Sequence, residues 1–364
     1  MIRIFYFLAF ASLFFLLWSP SAFARTSQGL LQGAHGDKSV MPKSCRACHK
    51  GMNMSVNGEE DSCLQCHGGG YARSNMQSRG YLAKNIELAN IETELQKPYR
   101  HPVLTERGIH RQNEIKPEQE INAPRHSECV DCHNPHAASS DNPYAGFSGK
   151  KIGNLTVELD QEYQLCYLCH SDSQNLPGNS TNKHAEFKTT NRSYHPVEGE
   201  GATEFVISLK EPYAARQERP GDISIITCSS CHGSDDSRGP RGPHGSNYEG
   251  LLKFNYEMRD GMSESAFAYA LCYECHERDS ILGNESFPYH SLHIEGKGGQ
   301  DGTSCFTCHD AHGSVQYASL IRFNEDVVEP LPSGKLKFDT VAGNSRSGSC
   351  TLVCHGVTHD DQKY

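Results

Sequence analysis

The sequence predicts a mostly irregular fold of short α-helices, with little β-sheet and without a large core of hydrocarbon side chains. Three observations predict this. Apolar residues make up only 36% of the 364 residues, below the roughly 45–50% of ordinary soluble domains. Glycine (33 residues) and proline (17 residues) are frequent, and strand-like runs are few. All 16 cysteines lie in short motifs along the chain, so we expect something bound by these motifs to replace the missing core.

Every cysteine belongs to a motif that ends in histidine. Seven motifs read Cys-x-x-Cys-His and the last reads Cys-x-x-x-Cys-His; they are numbered 1 to 8 in chain order below. The paired cysteines are Cys45 and Cys48, Cys63 and Cys66, Cys129 and Cys132, Cys166 and Cys169, Cys228 and Cys231, Cys272 and Cys275, Cys305 and Cys308, and Cys350 and Cys354. The histidines that follow them are His49, His67, His133, His170, His232, His276, His309 and His355.

This motif attaches c-type haem, with two thioether bonds to the porphyrin and the histidine as an iron ligand. On a helix, residues i, i+3 and i+4 share one face, so both sulfurs and the imidazole meet the same porphyrin. Structural zinc and disulfides are the alternatives. Histidine is only 20 of 364 residues yet follows the second cysteine every time. The sequence therefore predicts eight covalently bound c-type haems, with a disulfide as the alternative at motif 8, where the inserted residue breaks the helical register.

The first 24 residues predict a cleaved secretory signal peptide. Arg3 supplies a positive charge, Ile4 to Trp18 form an apolar run, and Ala22-Phe23-Ala24 resembles a cleavage site. A membrane anchor is the alternative, but the run is short for a span. Nothing later in the chain is long and apolar enough to cross a bilayer. We expect an exported protein in the periplasm or at the cell surface or outside a Gram-negative bacterium.

The motifs occur in pairs, which indicates internal duplication. After the signal peptide we expect four dihaem modules, and these are residues 25–98, 99–184, 185–281 and 282–364. A His-Pro-Val sequence precedes two of the motif pairs, at His101 and His195. Two helices are predicted in addition to the motifs, over Ser263–His276 and Leu82–Leu95.

Each haem iron needs a second axial ligand, and twelve histidines lie outside the motifs. Our candidates are His35, His101, His136, His195, His244, His290, His293 and His312. His136 and His312 follow a motif histidine by three residues, which is too close to reach over the same porphyrin, so we expect them to bind a neighbouring iron. His126 is the next candidate, and Met52 or Met54 would give a His/Met haem of raised potential. Each of these histidines has the alternative of a surface or propionate-binding role.

The motif pairs, Cys132 to His136, Cys308 to Ser314 and Tyr289 to His293 resemble the doubled-CxxCH multihaem cytochromes c, a class III cytochrome-like group of metal- and sulfur-respiring bacteria. The resemblance covers most of the predicted mature chain. It implies bis-histidine, low-spin haems that are stacked in a chain and pass electrons singly. The additional residue of motif 8 departs from the pattern.

We therefore expect an exported octahaem electron carrier of anaerobic or extracellular respiration, with no catalytic residue. The alternative is an octahaem enzyme of nitrogen or sulfur oxyanions with one open haem, for which motif 8 is the candidate. Partners would be redox proteins, other cytochromes or an outer-membrane barrel, and self-assembly into a filament is a further possibility for this class. The formal charge of −10 disfavours nucleic acid as a partner.

Overall fold

A computed structural model describes residues 31–50, 53–54, 59–104, 126–150, 156–172, 175–176, 180–200, 205–217, 226–298, 302–341 and 344–364. The signal peptide predicted for residues 1–24 and the candidate ligand Met52 lie outside these residues. The described chain is mostly irregular, with short helices and little sheet, which confirms the predicted fold class. In the described part of the chain, no helix has the length and apolarity that a membrane span requires.

The helices are short, and nine residues is the greatest length. They are Gly33–Gly36 (α1), Ser44–Cys48 (α2), Glu59–His67 (α3), Gly70–Ser78 (α4), Ile91–Glu94 (α5), Cys129–Cys132 (α6), Glu162–His170 (α7), Lys183–Phe187 (α8), Tyr213–Gln217 (α9), Cys228–Cys231 (α10), Ala270–Tyr273 (α11), Arg278–Leu282 (α12), His290–Glu295 (α13) and Cys305–Cys308 (α14).

Capping explains why such short helices begin where they do. Before α6, the Glu128 N–H donates to the Asp131 carboxylate at 2.8 Å, and before α10 the Thr227 N–H donates to Ser230 Oγ at 3.0 Å. In both helices the side chain that accepts this hydrogen bond belongs to one of the two variable residues between the motif cysteines. Capping satisfies backbone donors that a four-residue helix otherwise leaves open. The motif therefore carries part of its own helix-start signal.

Most strands are two or three residues long. The strands are His49–Lys50 (β1), Asn53–Met54 (β2), Tyr99–Arg100 (β3), Ser148–Lys150 (β4), Thr156–Glu158 (β5), Ser193–Tyr194 (β6), Gly245–Ser246 (β7), Gly313–Ser314 (β8), Val328–Glu329 (β9), Lys337–Val341 (β10), Asn344–Cys354 (β11) and Val357–Lys363 (β12). All pairings are antiparallel: β1 with β2, β3 with β7, β4 with β5, β6 with β8, and β11 with β9, β10 and β12. Two of these pairings, β3 with β7 and β6 with β8, connect segments that are far apart in the sequence. The last four strands form the one larger sheet among the described residues.

Two predicted helices are wrong in extent. Helix α11 covers only Ala270–Tyr273 of the predicted Ser263–His276, because the preceding residues form turns in which the Ser265 side chain accepts from the Ala268 N–H at 2.9 Å. The predicted Leu82–Leu95 is helical only over Ile91–Glu94, where Asn90 caps the start. Leu82 instead packs in a small apolar cluster with Met41, Ala47 and Met76. Tertiary contacts therefore override the helical pattern in both segments.

Apolar side chains form three small buried clusters rather than one continuous core. Each lies against a motif helix. They consist of Met41, Ala47, Met76 and Leu82; Tyr163, Tyr167, Phe187 and Val197; and Ala268, Tyr269, Tyr273 and Ile294. The space between the motifs is lined by histidine rings and thiols, and it is there that the candidate sites lie.

Candidate haem-binding sites

Motifs 1 to 7 all place their cysteines and histidine on one helical turn. The histidine N–H donates to the carbonyl of the first cysteine four residues earlier, at 2.9 Å in motifs 3, 5 and 7 and 3.0 Å in motif 6. Motifs 2 and 4 form the last turns of α3 and α7. None of the 16 cysteines forms a disulfide. Two thiols and an imidazole thus share one face in each of the seven motifs.

Each of these seven motif histidines faces a second histidine from elsewhere in the chain. Their ring centres are separated by 6.1 to 6.4 Å. The pairs are His49 with His136, His67 with His35, His133 with His244, His170 with His101, His232 with His312, His276 with His195, and His309 with His290. Seven of the eight candidate second ligands are therefore in these pairs, and His293 is not.

The separation of the paired rings fits a metal ion between them. A metal–imidazole bond is about 2.0 Å long and the ring centre lies about 1.1 Å beyond the nitrogen, so imidazoles on opposite sides of one metal have ring centres about 6.2 Å apart. Directly stacked rings would be closer, since aromatic pairs can approach to about 4.5 Å. The seven pairs leave room for one iron each, and the residues present fit bis-histidine haem.

Backbone carbonyls orient many of the rings. The Nδ1 atoms of His133, His232 and His309 lie 3.1, 2.8 and 2.9 Å from the carbonyl oxygens of residues 143, 250 and 319. A carbonyl only accepts, so Nδ1 carries the proton and Nε2 keeps its lone pair for a metal. Such partners fix both the tautomer and the orientation of a ligating ring.

One local arrangement of second histidines occurs three times. In each case the Nδ1–H of one histidine donates to the carbonyl of the residue that precedes the other histidine. His35 donates to Pro135 at 2.9 Å beside His136, His101 donates to Pro243 at 2.6 Å beside His244, and His195 donates to Ala311 beside His312. The backbones are bonded too, since the His195 N–H donates to the His312 carbonyl at 3.1 Å.

This arrangement assigns second ligands by a rule. The histidine that follows motif 3, 5 or 7 faces the histidine of motif 1, 3 or 5, respectively. The histidine that precedes motif 1, 3 or 5 faces the histidine of motif 2, 4 or 6, respectively. Strand pair β3–β7 holds His101 against His244, and β6–β8 holds His195 against His312. Motif 7 has no later motif to supply its partner, and it faces His290 instead. The repeat thus connects successive predicted modules through their candidate ligands.

Burial favours the neutral form of several paired rings, which is the form that a metal ligand needs. Desolvation, assisted by neighbouring histidines, lowers the pKa of His67, His170, His232 and His276 to about 4. Burial and the nearby rings also lower the pKa of His244 to about 4, and its Nδ1 is buried without a hydrogen-bond partner. A buried, neutral and unsatisfied imidazole fits a site that a metal completes.

Thiols of successive motifs lie close together. The Sγ atoms of Cys166 in motif 4 and Cys228 in motif 5 and a carboxylate oxygen of Glu162 lie within 4.8 Å of one another. The same kind of thiol contact joins motifs 2 and 3, through Cys63 and Cys129, and motifs 6 and 7, through Cys272 and Cys305. The attachment edges of successive haems would therefore be neighbours.

Motif 8 differs from the others because it lies on a strand. Cys350 and Cys354 are in β11, and residues i, i+2 and i+4 of a strand line one face. The inserted residue thus gives both thiols a common face on a strand, as the shorter spacing does on a helix. His355, at φ +50°, begins the tight β11–β12 turn with Gly356, at φ +72°. Sequence reasoning recognised the broken helical register but not the strand that replaces the helix.

The His355 ring is held by an acid rather than by a second histidine. Its Nε2 lies 2.8 Å from Asp260 Oδ2. Asp260 Oδ1 accepts from Thr307 Oγ1 at 3.0 Å, between the cysteines of motif 7, so the carboxylate joins motifs 7 and 8. Within the described residues, no histidine ring stacks against His355. The predicted second ligand His293 has its Nδ1 2.8 Å from the Tyr289 carbonyl, and its ring lies 5.8 Å from that of Phe287.

Two further histidines outside the pairs have other surroundings. His184 is buried, with Nδ1 2.8 Å from the Glu198 carboxylate and its ring 5.7 Å from Tyr167. His359 lies on β12 opposite Leu352. Sequence reasoning did not find the carboxylates Asp260, Glu198 or Asp310 that contact histidine rings, because nothing in a motif marks them.

One family model matches the chain. Residues 151–320, just under half of the sequence, match the family described as outer membrane cytochrome MtrC/MtrF-like, domains II/IV. No curated protein and no solved structure matches the chain. The matched region contains motifs 4 to 7, in which all four motif histidines have a ring partner. The match supports a multihaem c-type cytochrome as the class of this protein.

Proposed function

We propose that this protein is an exported octahaem c-type cytochrome that passes single electrons along a chain of bis-histidine haems. The seven histidine pairs with metal-sized gaps carry the proposal. Haem supplies the redox chemistry. The chain's own residues would hold seven of the irons from both sides, and burial favours the neutral form of several of the ligand rings.

Filled axial positions suit electron transfer better than catalysis. An iron with two imidazole ligands has no position for a substrate and changes little in geometry between its oxidation states. Burial lowers the pKa of five paired histidines to about 4, so protons do not compete for their nitrogens at neutral pH; they are His67, His170, His232, His244 and His276. We therefore assign no catalytic residue.

The electron path follows the order of the motifs along the chain. Contacts between thiols support neighbouring haems at motifs 2 and 3, 4 and 5, and 6 and 7. Motifs 1 and 2 meet in one apolar cluster, which Cys48 and Cys66 both contact. Asp260 joins motifs 7 and 8. Electrons would enter and leave at the terminal motifs, through redox proteins, other cytochromes or an outer-membrane barrel in the periplasm or at the cell surface.

Low-temperature EPR of the oxidised holoprotein tests the ligation. The imidazole planes are nearly parallel in His49–His136, at 6°, and in His232–His312, at 1°, but they lie at 76° in His35–His67. Parallel planes split the iron d orbitals strongly and give a rhombic low-spin signal, whereas nearly perpendicular planes give a single low-field feature. We expect both kinds of signal together. A uniform low-spin signal, or one that is mainly high-spin, contradicts the proposed pairs.

A second candidate function rests on motif 8. Since His355 is bonded to Asp260, the iron there has no preformed pair of imidazoles. A haem iron without a second axial ligand at motif 8 would make the protein an octahaem oxidoreductase that acts on nitrogen or sulfur oxyanions. We expect no carbon monoxide shift of the Soret band in the reduced protein. A shift that the double variant C350A/C354A abolishes would favour the enzyme instead.

A further inference from the structure

His312 is the second ligand assigned to motif 5, and its environment differs from that of its repeats. Among the other candidate second ligands, His35 and His101 place Nδ1 against backbone carbonyls, and at the equivalent position in the preceding repeat His244 Nδ1 is buried without a hydrogen-bond partner. His312 Nδ1 instead lies 3.1 Å from Asp310 Oδ1 and 3.5 Å from Glu186 Oε2. A carboxylate that accepts from the Nδ1–H makes an imidazole a stronger donor to its metal than a carbonyl does.

The position of Asp310 is fixed from three directions. Its Oδ1 also accepts the His312 backbone N–H at 2.9 Å, and Arg322 donates to its Oδ2 at 2.7 Å. The Asp310 side chain is 15% exposed and that of Glu186 8%. The carboxylate is therefore ionised, partly shielded from water and aligned with the ring.

Two cations face the same group and partly offset the acids. Lys183 Nζ lies 3.5 Å from His312 Nδ1 and 2.8 Å from Glu186, and Arg322 also donates to Glu186 at 2.9 Å. Lys183 Nζ is farther from Nδ1 than the Asp310 oxygen is. The cluster is thus close to neutral overall, and its main effect on His312 is through the hydrogen bond rather than through net charge.

We propose that Asp310 is a positioning residue that strengthens His312 as an iron ligand and so lowers the reduction potential of the haem on motif 5. The inference rests on the proposed function. The hydrogen bond from His312 to Asp310 would give the haem on motif 5 a lower potential than haems whose ligand histidine donates to a backbone carbonyl. The reduction potential would therefore change along the electron path at motif 5.

The test is an EPR-monitored redox titration of the holoprotein with Asp310→Asn. Asparagine keeps an oxygen in the same place but removes the charge. We expect the part of the rhombic signal that comes from motif 5 to be reduced at a higher potential, while the part from motif 1 stays unchanged. No shift, or a shift of the other haems alone, overturns the proposal.

Asp235→Asn is the matched control. Asp235 is also largely buried, follows the motif 5 histidine by three residues and pairs with a cation, Lys97, at 2.6 Å, but its described partners include no histidine. An equal shift in both variants means that charge alone sets the potential and overturns the proposal.

If Asp310→Asn does not fold, Arg322→Gln replaces it as the test variant. We expect Arg322→Gln to lower the potential of the haem on motif 5; no change, or a rise, overturns the inference. A protein that carries no bis-histidine haem contradicts the proposed function itself, whereas an unchanged potential contradicts only the role of Asp310.

Discussion

Produced without haem attachment, this chain is expected to remain unfolded. Its apolar side chains form three clusters of four buried residues each rather than one core. The paired histidines enclose gaps of about one metal ion. The buried Nδ1 of His244 has no hydrogen-bond partner, and an unsatisfied buried group of this kind costs roughly 1–3 kcal/mol, a large share of the stability of a domain.

The measurement is far-UV circular dichroism and limited proteolysis of the chain made in the cytosol, where haem is not attached. The control is the same chain exported with the haem-attachment pathway present. We expect rapid digestion and no cooperative thermal transition in the haem-free chain, and resistance in the control. Cooperative unfolding of the haem-free chain contradicts a haem-dependent core.

Replacing His195 by alanine is expected to open one iron of the eight predicted. The ring of His195 lies 6.4 Å from that of His276, and its Nδ1 donates to the Ala311 carbonyl, so it is oriented as a ligand opposite the ring of His276. The iron of motif 6 would become five-coordinate and high-spin in the ferric state. In the ferrous state it would bind carbon monoxide.

Optical and EPR spectra of H195A, before and after reduction under carbon monoxide, check this expectation. The matched control is H126A, which removes a histidine outside the seven ring pairs. We expect a high-spin signal and a Soret shift equal to about one eighth of the haem in H195A alone. If both variants stay low-spin, or if both gain an open iron, the assignment of His195 is wrong.

The positions of the cysteines and their histidines follow from the sequence because the chemistry is local. Two thiols and an imidazole within one helical turn need only neighbouring residues, and the turn closes as the spacing predicts in motif 5, where the His232 N–H donates to the Cys228 carbonyl at 2.9 Å. The low apolar content likewise predicts a small hydrocarbon core, and the fold class is confirmed. The four predicted dihaem modules stay a prediction, and the strand pairs β3–β7 and β6–β8 cross their boundaries.

Which histidine faces which motif depends on contacts between distant residues. His244 faces His133 across more than a hundred residues, and β3 and β7 hold the segment of His244 against that of His101. His290 and His293 look equivalent in the sequence, yet only His290 has a motif histidine opposite it. No local pattern distinguishes them, since the difference lies in what packs against each ring.

The sequence by itself determined that all 16 cysteines lie in eight motifs that end in histidine, and it predicts haem at each because covalent attachment needs fixed local spacing. It also determined that the folded chain has little hydrocarbon core. Only the tertiary structure decided the seven ring pairs, the strand at motif 8 and the carboxylates beside His312 and His355. These features depend on long-range packing, in which a residue's partner is chosen by position in space rather than by distance along the chain.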